Sequence, residues 1–202
     1  MAGKILLSTA YLPPAEYFSH IIHAEEVLIE REENYLKQSY RNRCYILAAS
    51  GPQLLTVPVY LGSIHKTPVR EIMIDYSKRW QQVHLRALTT SYKSSPFFIY
   101  YFEIIEKIIL SGHEFLLDLN MDLLKAVLKM INIEANISYT TDFKPVEISD
   151  YDYRYTINPK RETVYNSKKY IQVFTGGKDF VSGLSIVDLI FNAGPEASDY
   201  LQ

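Results

Sequence analysis

Lys37, Arg41, Asn42 and Arg43 fall within seven consecutive residues, KQSYRNR, a concentration of donors suited to holding an oxyanion. A guanidinium presents a planar fork of N–H groups that matches carboxylate or phosphate oxygens two at a time, and an amide side chain can complete the shell. Alternate side chains of an extended segment share a face, so Arg41 and Arg43 would point the same way, together with Ser39. Lys66 follows in a proline-containing loop. The competing role for such a cluster is to protect a strand edge, with Glu30, Glu32 and Glu33 as intramolecular partners.

Trp80 and His84 stand one helical turn apart. An imidazole titrates near neutral pH and an aromatic neighbour can hold its ring, which makes His84 the candidate general base and Trp80 a candidate ligand wall. The competing reading is a core histidine, because the pair lies on the apolar stripe of its helix. Cys44 would need a base and an electropositive setting to act as a nucleophile. Arg41 and Arg43 could supply the setting, yet a place inside a predicted strand favours a buried, inert thiol. His20, His23, His65 and His113 show no metal-ligand spacing; His20 and His23 with Glu16 form the one conceivable surface site, against ordinary solvated helix residues. No metal and no cofactor is expected. G-x-S-x-G, Walker and full G-x-G-x-x-G patterns are absent, and Gly176-Gly177-Lys178 is too short to cradle phosphate.

These residues need a frame. Ile5–Leu7 reads as a strand and Pro13-Pro14 as the start of a helix carrying Tyr17, Phe18, Ile21 and Ile22 inward. Glu26–Ile29 then gives a second strand, and a right-handed crossover makes the two parallel. Cys44–Ala48 and Leu54–Val59 flank Ser50-Gly51-Pro52, which predicts a β-hairpin added to that sheet. Val69–Ile74 alternates and predicts a further strand.

Helical spacing sets in over 78–94, with Trp80, His84, Leu88 and Tyr92 at i, i+4, and again over 96–111, where Ser95-Pro96 reads as the cap and start of the helix. Asn120 reads as the N-cap of a helix over Met121–Ile131, and Ile137–Tyr139 as a short strand. Residues 142–168 show neither period. Tyr170–Phe174 reads as a strand, and Ser185-x-x-Asp188 opens a short helix that Gly194 ends. The aromatic group from Tyr92 to Phe102 is read as core or subunit interface, with stacking on a sugar or base as the alternative. The fold class is therefore α/β, with a mainly parallel sheet started by a β-loop-α-β unit, a β-hairpin and a helical middle section. All of residues 1–202 are read as one domain.

The composition sets limits. The 202 residues are 48% hydrophobic with a formal charge of −2, so a substantial core is available but no global attraction toward nucleic acid or acidic membranes. A single cysteine excludes an intrachain disulfide. No window approaches the roughly 18 apolar residues of a membrane helix, and the start lacks a basic leader pattern, so the chain is read as cytoplasmic with no direct membrane insertion.

Four pieces in order, YLPPAEYF (11–18), NYLKQSYRNRC (34–44) with LLTVPV (54–59), WQQVH (80–84) with SYKSSPFF (91–98), and YIQVF with LSIVDLIFNAG (170–174, 184–194), resemble the WbqC-like family. Its members are bacterial proteins commonly found among genes for O-antigen and other surface polysaccharides. Relatives carry His-Gln-Pro just before the Tyr-x-Pro element, where this chain has Leu7-Ser8-Thr9, so chemistry of that imidazole does not transfer. Ser8 and Thr9 could still donate hydrogen bonds.

The resemblance implies a transferase or tailoring protein of surface polysaccharide biosynthesis. An anionic sugar or nucleotide-sugar would then be held between the Ser8–Tyr11 loop and the Lys37–Arg43 segment, with His84 accepting a proton. The alternatives are a nucleotide-binding or nucleotidyl-transfer protein, and a non-enzymatic partner in polysaccharide assembly. A homo-oligomer is a further possibility; nucleic acid is not an expected partner.

Overall fold

The computed structural model describes residues 2–60, 66–145, 151–161, 165–166, 168–175 and 179–202. His65 and Gly176-Gly177-Lys178 lie outside them. Strand β1 (Ala2–Ser8) buries Ile5 and Leu7, α1 (Ala15–Ile22) follows Pro14, and β2 (Ala24–Glu30) returns parallel to β1, with Leu6 opposite Leu28. Proline fits a helix start because its missing N–H would have no intrahelical acceptor there. Tyr17, Phe18 and Ile21 pack inward as the spacing requires.

Strand β3 (Arg43–Ala48) and β4 (Gly51–Thr56) form the expected antiparallel hairpin. It stands as a separate two-stranded sheet rather than joining the parallel one. The parallel sheet is completed by β5 (Ile137–Tyr139), which pairs with β2. On the far side of β1, the Leu6 amide donates to the Tyr151 carbonyl and the Tyr153 amide donates to the Leu6 carbonyl, both at 2.9 Å. The otherwise irregular 151–161 stretch is thereby tied to the sheet edge.

The middle of the chain is helical: α2 (Trp80–Tyr92), α3 (Phe98–Leu110) and α4 (Leu116–Met130). Near the end, α5 (Ile186–Ala193) is capped by the Ser185 hydroxyl, which accepts from the Val187 amide, and it ends at Gly194 with φ +60°. One contiguous cluster of buried side chains runs from Ile5 to Leu201. No helix among the described residues is long and apolar enough to cross a membrane.

Four local expectations are corrected. Val69–Ile74 is not a strand; Val69–Glu71 is a 3-10 turn, and the buried positions Val69 and Ile72 keep its three-residue period. Asn120 is not a cap but an interior, buried residue of α4, whose side chain is needed elsewhere. Ser95 does not cap α3, whose N-cap is Phe97; the Ser95 hydroxyl is buried without a partner among the described residues. Tyr170–Phe174 forms no strand. Its alternation is inverted, since Ile171 is 89% exposed while Gln172 is buried and donates to Asp188 at 2.9 Å.

Candidate functional site

The segment after β2 is shaped by its own hydrogen bonds before it meets any ligand. The Ser39 hydroxyl donates to the Leu36 carbonyl at 2.7 Å, the Tyr11 amide to the Tyr40 carbonyl at 2.8 Å, and the Val57 amide to the Asn42 carbonyl at 2.8 Å. Gln38 is held at φ +57°, a left-handed conformation that non-glycine residues adopt only where the surroundings enforce it.

Alternation does not place Arg41 beside Arg43. The Arg41 guanidinium turns inward onto the Glu33 carboxylate, with Nε and Nη2 donating at 2.8 and 2.6 Å, and the two side chains are only 2% and 0% exposed. The Tyr155 ring lies 5.6 Å from its central carbon. That bond pattern makes Arg41 a buried pin for the segment. Asn42 and Arg43, one residue further on, line a surface groove of about 460 Å³ instead.

Lys37 and Lys78 also line this groove, together with Asp75 and the rings of Tyr35 and Tyr60. Three cations therefore face one carboxylate. Asp75 is held below its usual value by hydrogen bonds from the Ser77 hydroxyl and amide, the amide at 2.8 Å, so it stays charged. Burial pushes the Tyr35 hydroxyl up to about 12 despite nearby Arg43 and Arg41, which keeps it a neutral donor. Asn42 Nδ2 donates to the Val57 carbonyl at 2.8 Å, while Asn42 Oδ1 and Arg43 Nε are buried with no partner among the described residues.

The other expected site residues are collected beneath the segment, in the interior. Ser8, Thr9 and Tyr11 are 8%, 1% and 0% exposed. The Ser8 carbonyl accepts from the Tyr17 hydroxyl at 2.9 Å, and Thr9 Oγ1 accepts from Asn120 Nδ2 at 3.1 Å. Asn120 also donates to the Arg41 carbonyl at 2.8 Å, linking α4 to the pinned residue. Trp80 packs edge-on to His84, ring centres 5.2 Å apart, with its Nε1 unpartnered among the described residues. His84 is buried, and burial lowers its pKa to about 4.

Cys44 is fully buried, and burial pushes its thiol up, so the protonated form dominates. His20 stacks on Tyr153 at 3.8 Å. Among the described residues no group of three or more His, Cys, Asp or Glu side chains is placed to hold a metal. The aromatic group divides: Tyr92 and Phe98 are core, whereas Tyr100 is exposed.

Two features escaped the sequence. Lys78, Asp75 and Tyr60 reach the groove through an antiparallel bridge between Val59 and Ile74, a contact with no local signature. Arg154, in the aperiodic stretch, is buried with Glu30 and Asp152, its Nη atoms donating to them at 2.9 and 2.7 Å. Its stretch shows neither helical nor strand period, so nothing in the local sequence marked the position as buried.

A parallel three-stranded sheet, a separate hairpin and a groove lined by three cations where the segment between them surfaces define an α/β protein. The model of the WbqC-like protein family matches residues 9–163, and the chain belongs to that family. It is similar to the uncharacterized protein Rv1507c of Mycobacterium tuberculosis, at 26% identity over 228 aligned positions covering 100% of this chain and 98% of the relative. No solved structure matches the chain.

Proposed function

We propose that the chain binds an anionic, phosphate- or carboxylate-bearing sugar or nucleotide-sugar in the groove lined by Lys37, Asn42, Arg43 and Lys78. In this role it serves surface polysaccharide biosynthesis in the cytoplasm as a transferase or tailoring protein. The observation that carries the binding reading is the convergence of three cations on one groove that also holds the unpartnered Arg43 Nε and Asn42 Oδ1. The polysaccharide context comes from the family resemblance. On this reading the ligand touches Lys37, Asn42 and Arg43, whereas Ser8, Thr9, Tyr11, Arg41, Trp80 and His84 hold that wall in place.

Calorimetric titration with inorganic phosphate, uridine diphosphate and uridine-diphosphate N-acetylglucosamine tests it. Charge-assisted hydrogen bonds contribute about 1.5–3 kcal/mol each, so a Lys37→Ala, Arg43→Ala double variant should bind at least about tenfold more weakly. Unchanged affinity in a folded double variant overturns the site. Equal affinity for the free nucleotide and the nucleotide-sugar favours a nucleotide-binding protein, and no binding of any of the three favours a non-enzymatic assembly partner.

A further inference from the structure

Helix α2 has a second face. Arg79, just ahead of its first turn, and Gln82, Val83, Arg86 and Thr90 follow one another at helical spacing and are exposed, Val83 by 58%. With Gln53 of β4 they line a cavity of about 680 Å³, separate from the anion groove. Two guanidinium groups and no carboxylate face this cavity, in a chain whose net charge is −2. Among the described residues neither Arg79 nor Arg86 has an ion-pair partner.

The strand beside this face is an edge. The hairpin closes through a two-residue turn with Ala48 opposite Gly51, which makes that pair and every second one after it the hydrogen-bonded pairs of the ladder. The backbone groups of Pro52, Leu54 and Thr56 consequently point away from β3. The same parity holds on the other strand, where the Leu47 amide bonds outward to the Tyr92 hydroxyl and the Tyr45 carbonyl to the Ser185 amide. On β4 the Thr56 backbone is engaged by His84 and Pro52 has no N–H. Among the described residues Leu54 is left as the one residue of this edge with both an outward donor and an outward acceptor.

We infer that the channel between α2 and the β4 edge docks an extended acidic segment of a partner protein, pairing through its backbone with Leu54 and setting carboxylates on Arg79 and Arg86. The two arginines are seven positions apart, about 10 Å along the helix axis. Same-face residues of an extended chain lie about 7 Å apart at i+2 and about 13 Å at i+4, so the flexible arginines span carboxylates at i and i+4. Val83 sits between them and offers an apolar seat at i+2. The recognised pattern is acidic-x-apolar-x-acidic in a strand, a form of β-strand addition. Concavity and the strand edge distinguish this ligand from an anionic membrane, which is flat and offers no backbone ladder.

The probe is a fluorescein-labelled peptide, Thr-Glu-Thr-Val-Thr-Glu-Thr, followed by anisotropy with the full chain at low salt. Saturable binding is expected, weakened at least about tenfold by Arg79→Glu with Arg86→Glu, and by lysine in place of both glutamates. Of two peptides N-methylated at alternate residues, one on each register, the one whose methyl groups face β4 should lose about tenfold, because methylation removes the ladder donor, while the other should bind as the parent does. The exposed arginine variants should melt as the parent does, and their phosphate affinity in the other groove should be unchanged. Equal binding by the double variant, no loss on N-methylation in either register, or binding only to phosphatidylserine vesicles overturns the inference.

Discussion

The Tyr11 hydroxyl lies 2.9 Å from Nδ1 of His84, joining the loop after β1 to the first turns of α2 across 73 residues of sequence. The imidazole also donates to the Thr56 backbone, so Nδ1 is the accepting nitrogen and Tyr11 the donor. Both ring nitrogens are thus engaged within the protein. A loop, a hairpin strand and a helix meet at one neutral ring.

This arrangement sets a pH dependence. His84 has a folded-state pKa of about 4 against an ordinary 6.5, so as pH falls the unfolded chain takes up the proton first. Its contribution is full above about pH 6.5 and is lost progressively down to about pH 4, a total of about 3 kcal/mol. His84→Gln should lower stability at pH 7.5 and flatten the fall between pH 6.5 and 4, as measured by urea unfolding. An unchanged pH profile in that variant would assign the dependence to other groups.

Arg41 and Arg43 should behave as opposites. Arg41→Ala leaves Glu33 buried without its partner, which costs about 3–5 kcal/mol, and ligand affinity should fall only as far as the folded fraction does. Arg43→Ala should leave the melting temperature nearly unchanged and weaken phosphate binding. Measuring both quantities on both variants checks the contrast; a stable Arg41→Ala protein that has lost phosphate binding contradicts it.

The same pair shows how far the sequence could be read. The KQSYRNR cluster located the groove wall, and the hydrophobic periods located β1, α1, β2, the hairpin, α2 and α3, because burial of one face imposes a period on the residues themselves. Strand alternation failed between Arg41 and Arg43 because this stretch is a folded turn until β3 begins at Arg43, and Glu33 competes for the first guanidinium. Asn120 misled for a related reason: an amide with helix on both sides reads as a cap unless its distant partners, Thr9 and the Arg41 carbonyl, are known. Contacts made across the fold leave no local period.

We propose that the chain is one folding unit, and limited proteolysis tests it. Cleavage within 142–168 should not release two independently stable fragments, since Tyr151 and Tyr153 bond to β1 and Arg154 is buried against Glu30 of β2. The expected outcome is nicked halves that co-elute on size exclusion and melt together. Two separately folded fragments would divide the chain into two domains.

Gly194 offers the sharpest stability test. It ends α5 at φ +60° and ψ −131°, where a side chain is strained, and a Cβ there would collide with the Phe97 ring. Phe97 is the N-cap residue of α3 and its amide donates to the Phe191 carbonyl at 3.0 Å, so the ring cannot withdraw without loosening the contact between α3 and α5. Gly194→Ala should therefore cost about 2–4 kcal/mol, part backbone strain and part overpacking. Phe97→Leu should relieve only the steric part, making the double variant less destabilised than the sum of the singles. Thermal unfolding of the four proteins decides it: strict additivity would mean that the ring and the glycine do not meet.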